Sequence, residues 1–356
     1  MPKTIVLAAG GTAGHLFPAQ KVATDLTERL SCTTLFAAKG LSTNPRFDNN
    51  RFTGVDVEAG PASLKGIFAN IRGIKQSVAL LKKTRPDLVI GFGSYHSFPV
   101  LVAALLCRIP VILHEANRQP GRVNRLLSRF AAFTAVFFPD TPLSGMRVVA
   151  DIPLRCPVET APSRDEALQH YGLCNLPTVL VFGGSLGAER VNDLACKSVC
   201  LLAEKMPLQV LHFTGNAASA DDIQKRYRQA GVTGVVRDFE HEMSCAWMAA
   251  DLVVCRSGAS TVAEQLAFSV PALFIPYPQA ADLHQDANAA YVQDVVGAAK
   301  LLKQSLLCEH VLRNHIEEAL SSGWQQTARQ HLLHHKKISF HTSFTEEILK
   351  FLGSDI

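Results

Sequence analysis

Residues 4–14 read Thr4-Ile-Val-Leu-Ala-Ala-Gly-Gly-Thr-Ala-Gly14, and residues 178–187 read Thr178-Val-Leu-Val-Phe-Gly-Gly-Ser-Leu-Gly187. Each is an apolar run closed by a Gly-Gly-[Thr/Ser]-x-Gly turn and followed by a stretch with helical spacing. After the second turn, Val191, Leu194, Ala195, Val199 and Leu202 fall on one helix face. A strand feeding a helix through a glycine turn, present twice, points to an α/β protein with two Rossmann-like, doubly wound parallel sheets. Ligands of such sheets sit beyond the carboxyl ends of the strands, where both turns fall, so two halves facing each other would set the turns across one central cleft. Glycine lets backbone N–H groups approach an anion that a helix N-terminus favours. The plainer reading is a turn that needs positive φ. Neither turn is G-x-G-x-x-G or G-x-x-x-x-G-K-[ST], which disfavours the dinucleotide and P-loop readings. The duplication favours a phosphate-bearing ligand.

Working outward, short apolar runs alternate with helix-length segments. Strands are expected at Thr4–Ala9, Thr33–Ala37, Leu88–Gly91, Val111–Leu113 and Ala135–Phe137, then at Thr178–Phe182, Leu208–Phe213, Val235–Asp238, Leu252–Cys255 and Ala272–Ile275. Between the two series lie Pro139, Pro142, Pro153, Pro157 and Pro162, so the domain boundary is placed near residue 157. The chain has 356 residues, too many for one core. Its 47% hydrophobic and 19% charged residues exclude a disordered chain. No window supplies 18 uncharged apolar residues, so no transmembrane helix is expected, and Met1-Pro2-Lys3 before a short strand does not read as a signal peptide. Nine cysteines without a C-x-x-C pair suit a reducing cytoplasm. A net charge of +4 gives no reason to expect a nucleic-acid partner. His331, His334, His335 and His341 read as a solvated helix face rather than a metal site.

Four segments carry candidate chemistry. His15 directly follows the first turn, with Pro18 expected in the first turn of the helix; a histidine there suits a general base, or merely caps and packs. Arg256-Ser-Gly-Ala-Ser-Thr261-Val-Ala-Glu264 is a further strand-to-helix turn with an arginine able to meet a pyrophosphate. Thr261 and Glu264 fit a capping box, and equally Glu264 could accept hydrogen bonds from two vicinal ribose hydroxyls; spacing does not separate the two. The polar stretch Pro276 to Asn288 could supply amides to a polyhydroxylated ligand, or be an ordinary surface loop. Residues 61–85 contain six cations, no acid, and Leu64, Ile67, Phe68, Ile71, Ile74, Val78 and Leu81 at helical spacing. That pattern suits an anionic membrane surface, with part of the apolar face kept as core.

Taken together, Gly10-Gly-Thr-Ala-Gly-His-Leu-Phe-Pro18, Gly91-Phe-Gly-Ser-Tyr95, His114-Glu-Ala-Asn117, Gly183-Gly-Ser-Leu-Gly-Ala188, Arg256 to Glu264, and His284-Gln285 before Asn288 resemble the MurG family of peptidoglycan-synthesising glycosyltransferases, in glycosyltransferase family 28 of the GT-B superfamily. Six motifs in the family's order span residues 10 to 288. The resemblance implies a GT-B architecture. An N-terminal Rossmann-like domain, 1–157, would take the lipid acceptor and the membrane side, completed by a C-terminal helix at about 336–356. A C-terminal Rossmann-like domain, 158–335, would bind UDP-N-acetylglucosamine. The implied reaction is an inverting hexosyl transfer, from UDP-N-acetylglucosamine to the C4 hydroxyl of undecaprenyl-pyrophosphoryl-N-acetylmuramyl-pentapeptide. The implied place is the cytoplasmic face of a bacterial inner membrane, bound peripherally, with other cell-wall enzymes as possible partners. The alternative reading is another GT-B enzyme using a UDP-sugar, a diacylglycerol glycosyltransferase or a UDP-sugar epimerase.

The resemblance also assigns residues. His15 would be the base, with Glu115 as runner-up. The donor would meet Thr12, Ala13, Gly14, Asn117, Arg155, Ser185, Glu240 (through its backbone, at uracil), Arg256, Ala259, Ser260, Thr261, Val262, Ala263, Glu264 and Gln285. Gly10, Gly11, Tyr95, His114 and Asn124 would lie on the acceptor side. The chain has no plausible D-x-D, so no metal and no cofactor is expected, and helix N-termini with Arg256 would stabilise the leaving diphosphate. Four positions depart from the family pattern: Ala13 and Ser94 stand where glycine is usual, Ala116 replaces a common glutamine, and Glu240 puts an acid where an apolar residue is common.

Overall fold

The structure, a computed structural model, describes residues 2–61, 63–184, 187–339 and 341–353. The chain divides into two compact units, one of residues 1–155 with 340–356 and one of residues 156–339. The expected boundaries were two and four residues away, at 157 and 336.

The first unit is built on a seven-stranded sheet of β1 (Lys3–Ala8), β2 (Cys32–Ala38), β3 (Gly54–Asp56), β4 (Leu88–Gly91), β5 (Val111–Glu115), β6 (Phe133–Val136) and β7 (Arg147–Val149). Their order is β3-β2-β1-β4-β5-β6-β7, every pairing is parallel, and Ile5 lies opposite Thr34 on one side and Leu88 on the other. Successive side chains of a strand face opposite sides, and β1 uses both. Ile5 and Leu7 join a cluster with Leu16, Val22 and Leu26, whereas Val6 and Ala8 join the opposite one with Leu81, Val100 and Leu101. The C-terminal helix Phe344–Gly353 sets Phe344, Ile348 and Leu352 into the first of these clusters, at the four-residue spacing of one helix face.

The second unit repeats the plan with β8 (Thr178–Phe182), β9 (Gln209–Phe213), β10 (Thr233–Arg237), β11 (Leu252–Cys255), β12 (Ala272–Phe274) and β13 (Ala299–Leu301), in the order β10-β9-β8-β11-β12-β13, again all parallel. Val179 and Val181 pack with Val191, Leu194 and Val199, the helix face read from the sequence. In both sheets the strand order reverses beside the glycine turn, between β1 and β4 and between β8 and β11. Such a reversal opens a crevice beyond the carboxyl ends of the two strands.

The differences from the expected elements are local. The three-residue strands β3, β7 and β13 have no apolar run to announce them, and β10 begins two residues earlier than expected. Pro18 lies inside helix Ala13–Arg29, not in its first turn. The helix starts at the glycine turn itself, and the ring removes one bond of its second turn. No helix among the described residues is long and apolar enough to cross a membrane.

Candidate functional site

At the first reversal the turn after β1 is held open by steric need. Gly11 has φ 86°, and a Cβ there would stand 2.9 Å from the His96 ring. Helix Ala13–Arg29 then begins with Ala13 and Gly14, and Thr12 occupies the N-cap without capping it. Its Oγ1 instead lies 3.1 Å from His15 Nδ1. A cap hydroxyl diverted in this way leaves first-turn N–H groups without an intrahelical partner. His15 Nε2 reaches over the facing turn after β4: a Cβ on Gly93 would lie 3.7 Å from it and 3.4 Å from Asn124 Nδ2. Ser94, φ 72°, bears a side chain in a left-handed conformation, and its Oγ is tied to His96 Nδ1 at 2.7 Å. That bond offsets the strain where the family usually has glycine. Tyr95 stacks on His96 at 4.0 Å between ring centres, on the exposed side of the turn.

Glu115 ends β5 as a hub. Oε1 accepts from Asn117 N at 3.0 Å and Asn117 Nδ2 at 3.3 Å, and Oε2 accepts from Gly121 N and Asn124 Nδ2, both at 2.9 Å. Burial pushes its carboxyl up, and these four donors pull the other way. A carboxylate so engaged positions the 116–121 loop, and its lone pairs are spoken for, which counts against Glu115 as the base. Asn124 also donates to the His114 carbonyl, while its Oδ1 has no hydrogen-bond partner among the described residues. His114, expected on the acceptor side, lies in the core. It is 3% exposed, packs at a tilt against Phe344 at 4.9 Å and Phe92 at 5.5 Å between ring centres, and burial pulls its imidazole down to about 4. It is a neutral core residue instead of a face toward an acceptor. Arg155 lies over Phe17 within the first unit, 5.4 Å from the ring centre.

At the second reversal, Gly187 has φ 72°, and a Cβ there would meet the Thr214 carbonyl at 2.3 Å, so only glycine fits. Ser185, expected at the phosphates, lies outside the described residues. Helix Ala259–Phe268 starts at N-cap Gly258, which overturns the capping-box reading: Thr261 is its third residue, and Glu264, its sixth, lies too deep to cap it. Ala259, Ser260 and Thr261 form the first turn. Val262 is fully buried with its N–H bonded to the Gly258 carbonyl, and Ala263 is buried beside it. Both pack the helix and present no side chain to a ligand.

Glu264 accepts from Trp247 Nε1 at 3.3 Å, and burial drives its carboxyl from 4.5 up to about 7 although one edge still faces solvent. Arg256 is a strut. Nη1 donates to the Ile275 and Pro276 carbonyls, both at 2.9 Å, Nη2 donates to Gln304 Oε1 at 2.8 Å, and the guanidinium lies over Tyr277. Its charge remains at the end of β11 while these hydrogen bonds hold the following loop. Gln285 Oε1 accepts from Tyr277 N at 2.9 Å, and the Gln285 carbonyl accepts from Ser257 Oγ at 2.8 Å. Glu240 is 7% exposed and turns inward, accepting from Arg237 at 2.6 Å and from Glu242 N at 2.8 Å. The unusual acid is therefore neutralised internally. Asn288 of the last motif donates to the Ser257 carbonyl at 3.1 Å, and Trp247 and Gln304 buttress these residues through contacts that no local sequence signal announces.

Comparison with known proteins agrees with this geometry. Residues 5–136 match the glycosyltransferase family 28 N-terminal domain and residues 178–347 its C-terminal domain. A Protochlamydia amoebophila protein, UDP-N-acetylglucosamine–N-acetylmuramyl-(pentapeptide) pyrophosphoryl-undecaprenol N-acetylglucosamine transferase, is 41% identical over 88% of this chain and 87% of its own. The Chlamydia trachomatis transferase of the same name is 35% identical over 92% of this chain and 93% of its own. The crystal structure of Acinetobacter baumannii MurG superposes with a TM-score of 0.81 at 28% identity, covering 99% of this chain and 100% of that one. A Neisseria meningitidis UDP-GlcNAc 2-epimerase superposes at 0.64 with 14% identity over 92% of this chain and 94% of that one, a likeness of fold alone. With both domains matched in order and relatives of this identity along almost its whole length, the chain belongs to glycosyltransferase family 28.

Proposed function

We propose that this enzyme transfers N-acetylglucosamine from UDP-N-acetylglucosamine to the C4 hydroxyl of undecaprenyl-pyrophosphoryl-N-acetylmuramyl-pentapeptide, in peptidoglycan synthesis. The observation that carries the proposal is the 41% identity, over nearly the full chain, to a transferase of that name. The acceptor hydroxyl attacks the anomeric carbon from the face opposite the diphosphate, UDP leaves, and the configuration inverts. His15 takes the hydroxyl proton. Its Nδ1 lies 3.1 Å from Thr12 Oγ1, which orients the ring, and its Nε2 lies over Gly93 of the facing turn. The first-turn N–H groups of helix Ala13–Arg29 receive the acceptor's pyrophosphate.

The second unit holds the donor. Backbone groups around Glu240 meet uracil, Glu264 takes the ribose hydroxyls, and Gln285 meets the sugar. The N-terminus of helix Ala259–Phe268 and the nearby charge of Arg256 stabilise the diphosphate as it departs.

The enzyme works at the cytoplasmic face of the membrane, held there by helix Leu64–Thr84. Leu64 is 81% exposed and Phe68 66%, with Ile67 and Ile71 exposed beside them and Lys65 and Lys75 on the same segment. The charge of Arg72 is shared with Glu58 at 2.8 Å. Gly73, Ser77 and Leu81 turn inward, so the first half of the helix is the docking half. The test of the base is His15→Ala. Turnover should fall by about 10²–10⁴-fold with UDP affinity unchanged. A variant that keeps wild-type kcat would remove His15 from that role.

A further inference from the structure

One cluster of metal-ligating side chains is used by none of this chemistry. His170 near the end of helix Arg164–Tyr171, and Glu242 and Cys245 at the start of helix Met243–Ala249, bring an imidazole nitrogen, a carboxylate oxygen and a thiol together. The three ligand atoms all lie within 4.8 Å of one another, and among the described residues no other group of three His, Cys, Asp or Glu does so. We propose that His170, Glu242 and Cys245 bind a divalent metal ion of the Zn²⁺ class.

The argument is geometric. His170 Nε2 stands 3.8 Å from Glu242 Oε2, and Cys245 Sγ stands 3.6 Å from the same oxygen. The first is too long for a hydrogen bond and the second a weak one. On a tetrahedron around zinc, bonds of about 2.3 Å to sulfur and about 2.1 Å to nitrogen or oxygen set S and O about 3.6 Å apart and N and O about 3.4 Å apart. The Cys245–Glu242 separation matches such an edge, the His170–Glu242 separation is about 0.4 Å longer, and His170 and Cys245 lie within 4.8 Å of each other. One N, one O and one S donor suit a borderline-soft ion better than Mg²⁺ or Ca²⁺, which take oxygen.

Water would complete the coordination. Bound metal would clip the two helices together beside the 238–242 segment.

The test is titration of the reduced full-length protein with Co²⁺. One equivalent should produce a thiolate-to-cobalt charge-transfer band with the visible bands of a four-coordinate ion, and Zn²⁺ should displace it mole for mole. Cys245→Ser should abolish the charge-transfer band. His170→Gln and Glu242→Gln, at exposed positions where folding is not at stake, should each weaken binding at least about tenfold. Cys174→Ser and Cys308→Ser, at exposed thiols outside the cluster, should change nothing. The thiolate band separates this site from the histidines of helix Ser322–Ile338, which cannot give one. Zn²⁺ should raise the melting temperature of the wild type and not of His170→Gln. No charge-transfer band, a band that survives Cys245→Ser, or full affinity in His170→Gln would overturn the proposal.

Discussion

Glu264→Gln separates stability from function at one atom. Its carboxyl is neutralised by burial, with a pKa raised from 4.5 to about 7 and only the Trp247 indole N–H working against the shift. Below pH 4.5 native and unfolded chains are both protonated there, and the residue imposes no penalty. As pH rises from 4.5 to 7 the unfolded chain ionises first, so stability falls, and above 7 the native state carries the whole cost. A shift of that size is worth roughly 3 kcal/mol, an upper bound because one edge of the carboxyl meets water. Glutamine keeps the acceptor for Trp247 and removes the charge. Urea unfolding should therefore find Glu264→Gln within about 0.5 kcal/mol of wild type at pH 4.5, and about 2–3 kcal/mol more stable at pH 8. UDP affinity should move the opposite way. Ribose hydroxyls donate to the ionised carboxylate, so wild-type binding should tighten from pH 5.5 to 7.5 with release of a proton, and the variant should bind weakly and without pH dependence. A variant less stable than wild type at pH 8, or a stability difference that does not change with pH, would refute the buried-carboxylate reasoning. Undiminished UDP affinity would remove Glu264 from the ribose.

Three further outcomes are expected. His114 and His212 are buried neutral, with burial lowering their pKa from 6.5 to about 4 and about 3, so the stability they contribute is present above pH 6.5 and lost as pH falls toward 4; urea denaturation should show the unfolding free energy falling across that window, and an unchanged value at pH 4 would contradict it. Gly187→Ala should destabilise by roughly 3 kcal/mol, since a Cβ in a left-handed conformation is costly and this one would overlap the Thr214 carbonyl; a loss below about 1 kcal/mol in urea would mean that the turn yields. Replacing Leu64, Phe68 and Ile71 with serine should abolish sedimentation with anionic vesicles while activity on a short-chain acceptor persists, and vesicle binding that survives would place the docking surface elsewhere.

The fold was legible where local chemistry is loud. Thr178–Phe182 is buried along its whole length, so after Thr178 its sequence is continuously apolar and marks a central parallel strand. The two glycine turns were legible because Gly11 and Gly187 adopt conformations few other residues accept. The edge strands β3 and β7 escaped notice because each is only three residues long and begins with an exposed residue, too short to show a pattern. At the site, sequence named which residues matter more readily than what each touches. Thr261 and Glu264 had the spacing of a capping box, yet the helix starts at Gly258, and a shift of three residues turns a cap into a buried carboxylate. His114 and Val262 sit inside motifs but face the core, a direction set by tertiary packing. The His170–Glu242–Cys245 cluster joins residues more than seventy positions apart, and only folding brings them together.

The central claim is the reaction itself. It is tested most directly by incubating the enzyme with radiolabelled UDP-N-acetylglucosamine and a lipid-linked muramyl-pentapeptide analogue, and following label into the lipid. The account predicts stoichiometric transfer with inversion, dependent on His15. UDP-N-acetylglucosamine that binds but is only hydrolysed or epimerised, with no label reaching the lipid, would contradict it.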